Sequence, residues 1–132
     1  MSGEFNRASE EQLKNTVVTV GAVPVVTLMP GVTTHIVPGN NMTLSFARLA
    51  PNVEGKLHSH PHEQMIVVMK GQLDVALDGT VYGLKSGDVI SIPGDVEHAG
   101  TTHDSECQLV EIFTPARKDF EEKLAEARAR QA

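Results

Sequence analysis

The stretch His58-Ser59-His60-Pro61-His62-Glu63-Gln64, answered further along the chain by His98, decides how this sequence is read. Side chains of a β-strand alternate between faces, so His58 and His60 are expected side by side at roughly 7 Å on one face of a strand. Two imidazoles at that spacing can converge on one cation. Gln64, just beyond, can swing its amide oxygen toward the same point, and His98 can close the site from across a sheet. Three neutral nitrogens and one amide oxygen suit one divalent transition metal ion, with zinc, nickel, iron, cobalt and manganese all admissible. With no anionic ligand in the set, such an ion retains its full charge and is a strong Lewis acid. A short His-rich tract can equally be a solvated loop, and six histidines among 132 residues are only a modest excess. The surrounding sequence has to decide between the two.

A chain of 132 residues, 40% hydrophobic and 21% charged, has the make-up of a single soluble domain large enough to bury one core. One domain is expected over residues 1–132, with a core at about 16–115 and a helix at about 116–130. The net charge of -6 argues against nucleic acid as a partner, because phosphate binding needs a basic face. No apolar run approaches the roughly 20 residues a membrane helix requires, so no membrane partner is expected. Met1 to Gln12 lack the apolar core of a signal peptide. Cys107 is the only cysteine, which excludes an internal disulfide and fits the reducing cytoplasm. It is expected to pack as a small buried residue on a strand.

Beyond the His cluster the pattern is all-β with a helical tail. Val17–Val20, Val25–Leu28, Val32–Val37, Met42–Leu49, Met65–Met69, Leu73–Leu77, Thr80–Leu84, Val89–Ile92 and Gln108–Phe113 read as strands. Pro38-Gly39-Asn40-Asn41 and Lys85-Ser86-Gly87-Asp88 carry turn chemistry, and Asp78-Gly79 is a two-residue hairpin signal. Strands recurring at such short intervals predict a sandwich, jelly roll or small barrel. Thr114-Pro115 resembles a helix N-cap followed by proline at the first helical position. From about Ala116 to Ala129, Phe120, Leu124 and Ala127 share one apolar face, as in a helix docked on a core.

The two His-bearing segments, in register with their glycines and proline, resemble the cupin superfamily. Its first motif runs His-x-His, three or four residues, an acid, six residues, Gly; here it is His58, His60, Gln64 and Gly71, with Gln in place of Glu. The second motif runs Gly, five residues, Pro, and a His five further on; here it is Gly87, Pro93 and His98. Asn52, Asp95 and Thr102 depart from the glycine, glycine and asparagine of the pattern, and none of these removes a ligand. The resemblance implies a double-stranded β-helix, a jelly-roll-like small barrel, in which ligands from neighbouring strands meet inside the mouth. Such barrels host many chemistries, so the fold alone does not name a reaction.

More narrowly, His58 to Gln64 and the tail from Glu111 to Phe120 are similar to the pectin-degradation cupins. That resemblance implies conversion of 4,5-unsaturated monouronates into linear keto-uronates. It also implies Glu111, where that family commonly has Asp, as the proton-transferring acid, with Phe113 and Arg117 lining the pocket. Arg117 would hold a substrate carboxylate through its planar fork, and Phe113 would pack against the sugar ring. Arg48 becomes a second carboxylate contact if the Met42-Leu44-Phe46 face lines the barrel, and a surface charge if that face points outward. His62 is expected to act behind the ligands or to face solvent, Glu63 to point away from the site, and His35 and His103 to lie in loops or on the surface. A dioxygenase, lyase or polyketide cyclase of the same fold, or a non-catalytic small-ligand binding module, are the competing expectations. The partner is therefore a small molecule, an acidic sugar on the leading expectation. A homodimer is expected to form through outer strands, with the N-terminal β-branched segment as a possible edge.

Overall fold

A computed structural model describes Gly3 and residues 5–131 of the chain. Among them nine strands form two antiparallel sheets. The larger has the order β1-β2-β3-β9-β4-β7, built from β1 (Val25–Met29), β2 (Val32–Pro38), β3 (Thr43–Leu49), β4 (Glu63–Lys70), β7 (Val89–Ile92) and β9 (Cys107–Thr114). The smaller has the order β6-β5-β8, built from β5 (Gln72–Leu77), β6 (Thr80–Lys85) and β8 (His98–Thr101). The expected all-β barrel with a short C-terminal helix is what the chain forms.

Alternation along each strand explains the core. Val68, Ile92 and Leu109 of the large sheet pack with Leu73, Val75 and Leu84 of the small one, and burying each such side chain contributes about 1.5–3 kcal/mol. Cys107 lies in the same cluster, fully buried, as the sequence predicts. The register of β3 settles the face that alternation alone left open. Thr43, Ser45, Ala47 and Leu49 are buried, so Leu44, Phe46 and Arg48 point outward. Arg48 is 62% exposed in its side chain and pairs with Glu106 at 3.2 Å, so the expected substrate contact from Arg48 is replaced by a surface ion pair.

Asp78 and Gly79 join β5 to β6 with φ of 48° and 83°, the left-handed pair that a type I′ hairpin demands. Gly71, between β4 and β5, has φ 85°, and a Cβ there would run into the carbonyl oxygen of Glu106. The β4–β5 connection can therefore approach the start of β9 only without a side chain.

Four local expectations change. Val17–Val20 does not form a strand: Val17 caps a short helix, α1 (Glu10–Thr16), and Val20–Ala22 make a 3-10 turn. Val17 and Val18 stay exposed, with no strand beside them among the described residues. The helix before them is signalled by Ser9 and Gln12, whose side chains and backbones form a reciprocal capping box. Strand β8, with the sequence His-Ala-Gly-Thr, has little strand propensity of its own and exists because β5 pairs with it. The C-terminal helix, α2, runs Lys118–Gln131 rather than starting at Ala116. Thr114 is instead the last residue of β9, paired with Glu63, and the Arg117 N–H donates to Thr43 Oγ1 at 2.8 Å. Phe120, Leu124 and Ala127 of α2 are buried against Val26, Ile36 and Phe113, as their spacing predicts.

Gly71 and Gly79 make a controlled pair. Both need a positive φ, but nothing lies within 4 Å of a Cβ at Gly79. Gly79→Ala is expected to cost only backbone strain, about 1 kcal/mol, and Gly71→Ala the upper part of the roughly 1–3 kcal/mol range or more. Urea unfolding of both variants measures the difference, and equal losses would contradict the close approach at Gly71.

Candidate metal centre

The His58–Gln64 segment is not the strand that alternation predicts. His58 makes a single isolated bridge with His98, and His60 lies in the connection before β4 begins at Glu63. Backbone contacts do the positioning. His58 and His98 exchange two main-chain hydrogen bonds, at 3.1 and 2.9 Å, and the Asp95 N–H donates to the His60 carbonyl at 2.7 Å. Gly94 lies so near the Pro61 carbonyl that a Cβ would collide with it, and a Cβ at Gly55 would come 2.6 Å from the Gly100 carbonyl. The glycines let the loop close onto the small sheet. Gln64, by contrast, comes from β4 of the large sheet, so the site draws on both.

One nitrogen of each of His58, His60 and His98 lies within 4.8 Å of the others. The other ring nitrogen, Nδ1, is engaged in all three: with the Lys56 carbonyl at 2.9 Å, the His62 carbonyl at 3.0 Å and the Val96 carbonyl at 2.9 Å. A carbonyl only accepts, so each Nδ1 carries the ring proton and each Nε2 of the neutral ring holds a bare lone pair. His62 thus acts behind His60, as expected, although through its main-chain carbonyl rather than its ring.

Gln64 is 3% exposed. Its Nε2 donates to Glu111 Oε1 at 3.1 Å, which turns its Oε1 toward His60 Nε2, 3.0 Å away. Two acceptors face each other there, and His98 Nε2 is buried without a hydrogen-bond partner among the described residues. Four lone pairs converge with no donor between them. A cation is what such a set accepts, and imidazole nitrogens with an amide oxygen fit the borderline divalent metals. Burial first of all, with the neighbouring histidines and Arg117 adding to it, lowers the pKa of both His60 and His98 from the ordinary 6.5, so both rings are neutral at pH 7.

A cavity of about 310 Å³ adjoins the cluster, lined by aliphatic side chains such as Ile66, Val75 and Leu109 together with His58, His98, Gln64 and Glu111. Burial in this barrel raises the Glu111 pKa, against the opposing pull of the Ser45 hydroxyl, Arg117 and the Gln64 amide. Arg117 also borders the cavity, but not as a free fork. Its Nε and Nη2 are clamped by Asp119 at 3.1 and 2.6 Å, and its guanidinium lies 4.7 Å from the Phe113 ring centre and 4.0 Å from that of Phe120. Phe113 is 1% exposed and packs edge-on against His60, so it is a wall of the site embedded in core rather than an open platform. Glu63 points to solvent and His103 pairs with Asp74 on the surface, as expected, whereas His35 lies on β2 and bonds the Val23 carbonyl at 2.8 Å.

The sequence matches the family model described as a cupin domain over residues 45–113, just over half the chain. The chain belongs to the cupin family. Among solved structures, this cupin is similar to an RmlC-like cupin from Shewanella frigidimarina, with 24% identity, a TM-score of 0.73, and 78% of this chain and 93% of that one covered. It is similar also to KdgF from Halomonas sp., with 22% identity, a TM-score of 0.69, and coverage of 73% and 89%. Oxalate decarboxylase from Bacillus subtilis matches at 15% identity and a TM-score of 0.69, covering 77% of this chain but only 30% of that protein. At these identities the likeness is one of fold. No curated protein matches the sequence.

Burial of Glu111 has a consequence with a definite sign. Its folded pKa lies above the ordinary 4.5, so the stability its protonated form contributes is present below pH 4.5 and is lost as pH rises through the folded value. In metal-free protein, Glu111→Gln is expected to melt higher than wild type at neutral pH, with the gap closing as pH falls toward 4.5. A gap independent of pH would contradict a partly buried, destabilised carboxylate.

Proposed function

We propose that this cupin holds one divalent transition metal through His58, His60, Gln64 and His98, and that it opens 4,5-unsaturated monouronates into linear keto-uronates. The observation that carries the reading is that Glu111, an acid with a raised pKa, shares one cavity with the converging lone pairs and is a single hydrogen bond away from Gln64. The similarity of the Glu111–Phe120 tail to the pectin-degradation cupins supports the choice of substrate.

The reaction asks for a particular set of groups. A 4,5-unsaturated uronate is a cyclic hemiacetal whose ring oxygen sits on a C=C bond. Opening it frees an aldehyde at C1 and an enol at C5, and the enol becomes a ketone when C4 takes a proton. Overall, one hydrogen leaves the C1 hydroxyl and one arrives at C4, so the isomerisation needs a proton carrier and no oxidant. Glu111 is that carrier: an acid with its pKa raised toward the working pH both takes and returns a proton readily. A metal bound at the four acceptors would supply Lewis-acid polarisation of substrate oxygens. Arg117, held side-on by Asp119, retains the end of its guanidinium for a substrate carboxylate, a bond strengthened by charge on both partners. Phe113 packs edge-on against His60 and beneath the Arg117 guanidinium and closes that wall of the cavity. A homodimer acting in the cytoplasm, the setting a single buried cysteine fits, completes the proposal.

Proton NMR of a freshly generated 4,5-unsaturated monouronate tests it. The vinylic signal decays spontaneously, so the quantity that matters is acceleration over the protein-free rate. Metal-loaded wild type is expected to speed the decay strongly, and the Gln64→Ala/His98→Ala double variant to match the blank. Wild type that matches the blank with zinc, nickel, iron, cobalt and manganese in turn would remove the uronate assignment. Turnover of another substrate that needs iron and fails with redox-inert zinc would favour an oxygenase, since the same neutral ligand set also accepts iron.

A further inference from the structure

We infer that Glu111 is a positioning residue for Gln64: its carboxylate fixes which end of the Gln64 amide faces the metal. This rests on the metal-centre part of the function proposed above and not on its substrate.

An amide side chain has two ends of nearly the same shape and opposite polarity. Only the oxygen can coordinate a cation; the turned amide would present N–H donors to a positive charge. A glutamate at position 64 would coordinate through either oxygen and need no such control. A glutamine needs it, and nothing in the strand geometry of β4 supplies it, because the two orientations fill the same space. The choice is made by what each end meets. One end lies 3.1 Å from Glu111 Oε1 and the other 3.0 Å from His60 Nε2. Glu111 Oε1 accepts from the NH2 end, which leaves the oxygen for the histidine cluster.

Glu111 is itself held in place. Strand β9 sets it opposite Ser45 on β3 and Ile66 on β4. Thr34 Oγ1 lies 2.6 Å from Ser45 Oγ, with both residues buried to 1% and 0% exposure. Ser45 thus faces Glu111 from β3 with Thr34 of β2 behind it, and Gln64 donates to Glu111 from β4. Buried hydroxyls among aliphatic side chains are costly unless satisfied in this way. Neither Thr34 nor Ser45 carries a signal in the sequence, where both look like ordinary strand residues.

The test is a double-mutant cycle on zinc affinity, measured by competition with a chromogenic chelator, with Co(II) absorption as a second readout of the ligand set. Glu111→Ala is expected to weaken zinc by roughly 10–100-fold, the range for loss of a group that orients a ligand, and to alter the Co(II) spectrum. Glu111→Gln, whose own oxygen can accept from the Gln64 amide, is expected to keep affinity within a few-fold and the spectrum unchanged. In a Gln64→Ala background, Glu111→Ala is expected to have almost no further effect, because the ligand it orients is gone. Should Glu111→Ala not fold, Glu111→Leu fills the same space without an acceptor and takes its place in the cycle. Equal losses in both backgrounds, or no loss from Glu111→Ala with Gln64 present, would overturn the inference. Wild type that binds no zinc would overturn it together with the metal centre. Protein that binds zinc and obeys the cycle but leaves uronates unconverted would overturn the substrate alone.

Discussion

Two main-chain hydrogen bonds between His58 and His98, at 3.1 and 2.9 Å, tie a loop of the chain to the short strand β8. The site depends on that tie. Without it, the segment carrying His58 and His60 has no regular structure, and the order needed to aim two rings at one point would cost conformational entropy at every residue of the loop. With it, the loop inherits the rigidity of the small sheet, while Gln64 brings that of the large one. A site whose ligands come from both walls reports directly on how the two sheets are set against each other.

The electrostatics of the cavity follow from the same arrangement. Backbone carbonyls take the proton-bearing nitrogen of each ring, burial keeps His60 and His98 neutral, and Glu111 turns the amide oxygen of Gln64 inward. Each of these contacts removes a donor from the centre and leaves an acceptor. The buried His98 Nε2 makes the imbalance plain, since a polar atom left without a partner away from water costs roughly 1–3 kcal/mol. Such a cost is tolerable where a bound cation repays it. The Arg117 and Asp119 pair and the two phenylalanines then form one side of the cavity as a packed unit.

Much of this was legible because it depends on spacing. The intervals from His58 to Gly71 and from Gly87 to His98 carry the barrel and its ligands, and the period-two strands and the Asp78-Gly79 turn carry the sheets. What the sequence did not carry depends on partners. Strand β8 is a strand because β5 lies beside it, and Val17–Val20 is not one because no strand lies beside it among the described residues. The face of Arg48 could not be told from alternation, which gives two faces without saying which is inside. Thr114 and Pro115 have the chemistry of a helix start, yet the pairing of Thr114 with Glu63 holds β9 extended past that point. Thr34 and Ser45 carry no signal of their own, because a buried hydroxyl in a strand is informative only once its partner is known.

The convergence of four lone pairs on one cation is the claim on which the rest stands, and anomalous X-ray diffraction from crystals grown with zinc tests it most directly. The account predicts one strong peak at the absorption edge, about 2.0–2.1 Å from the Nε2 atoms of His58, His60 and His98 and about 2.0–2.2 Å from the Oε1 of Gln64. A peak bound through Nδ1, a peak elsewhere on the surface, or a Gln64 amide turned with its nitrogen inward would contradict it.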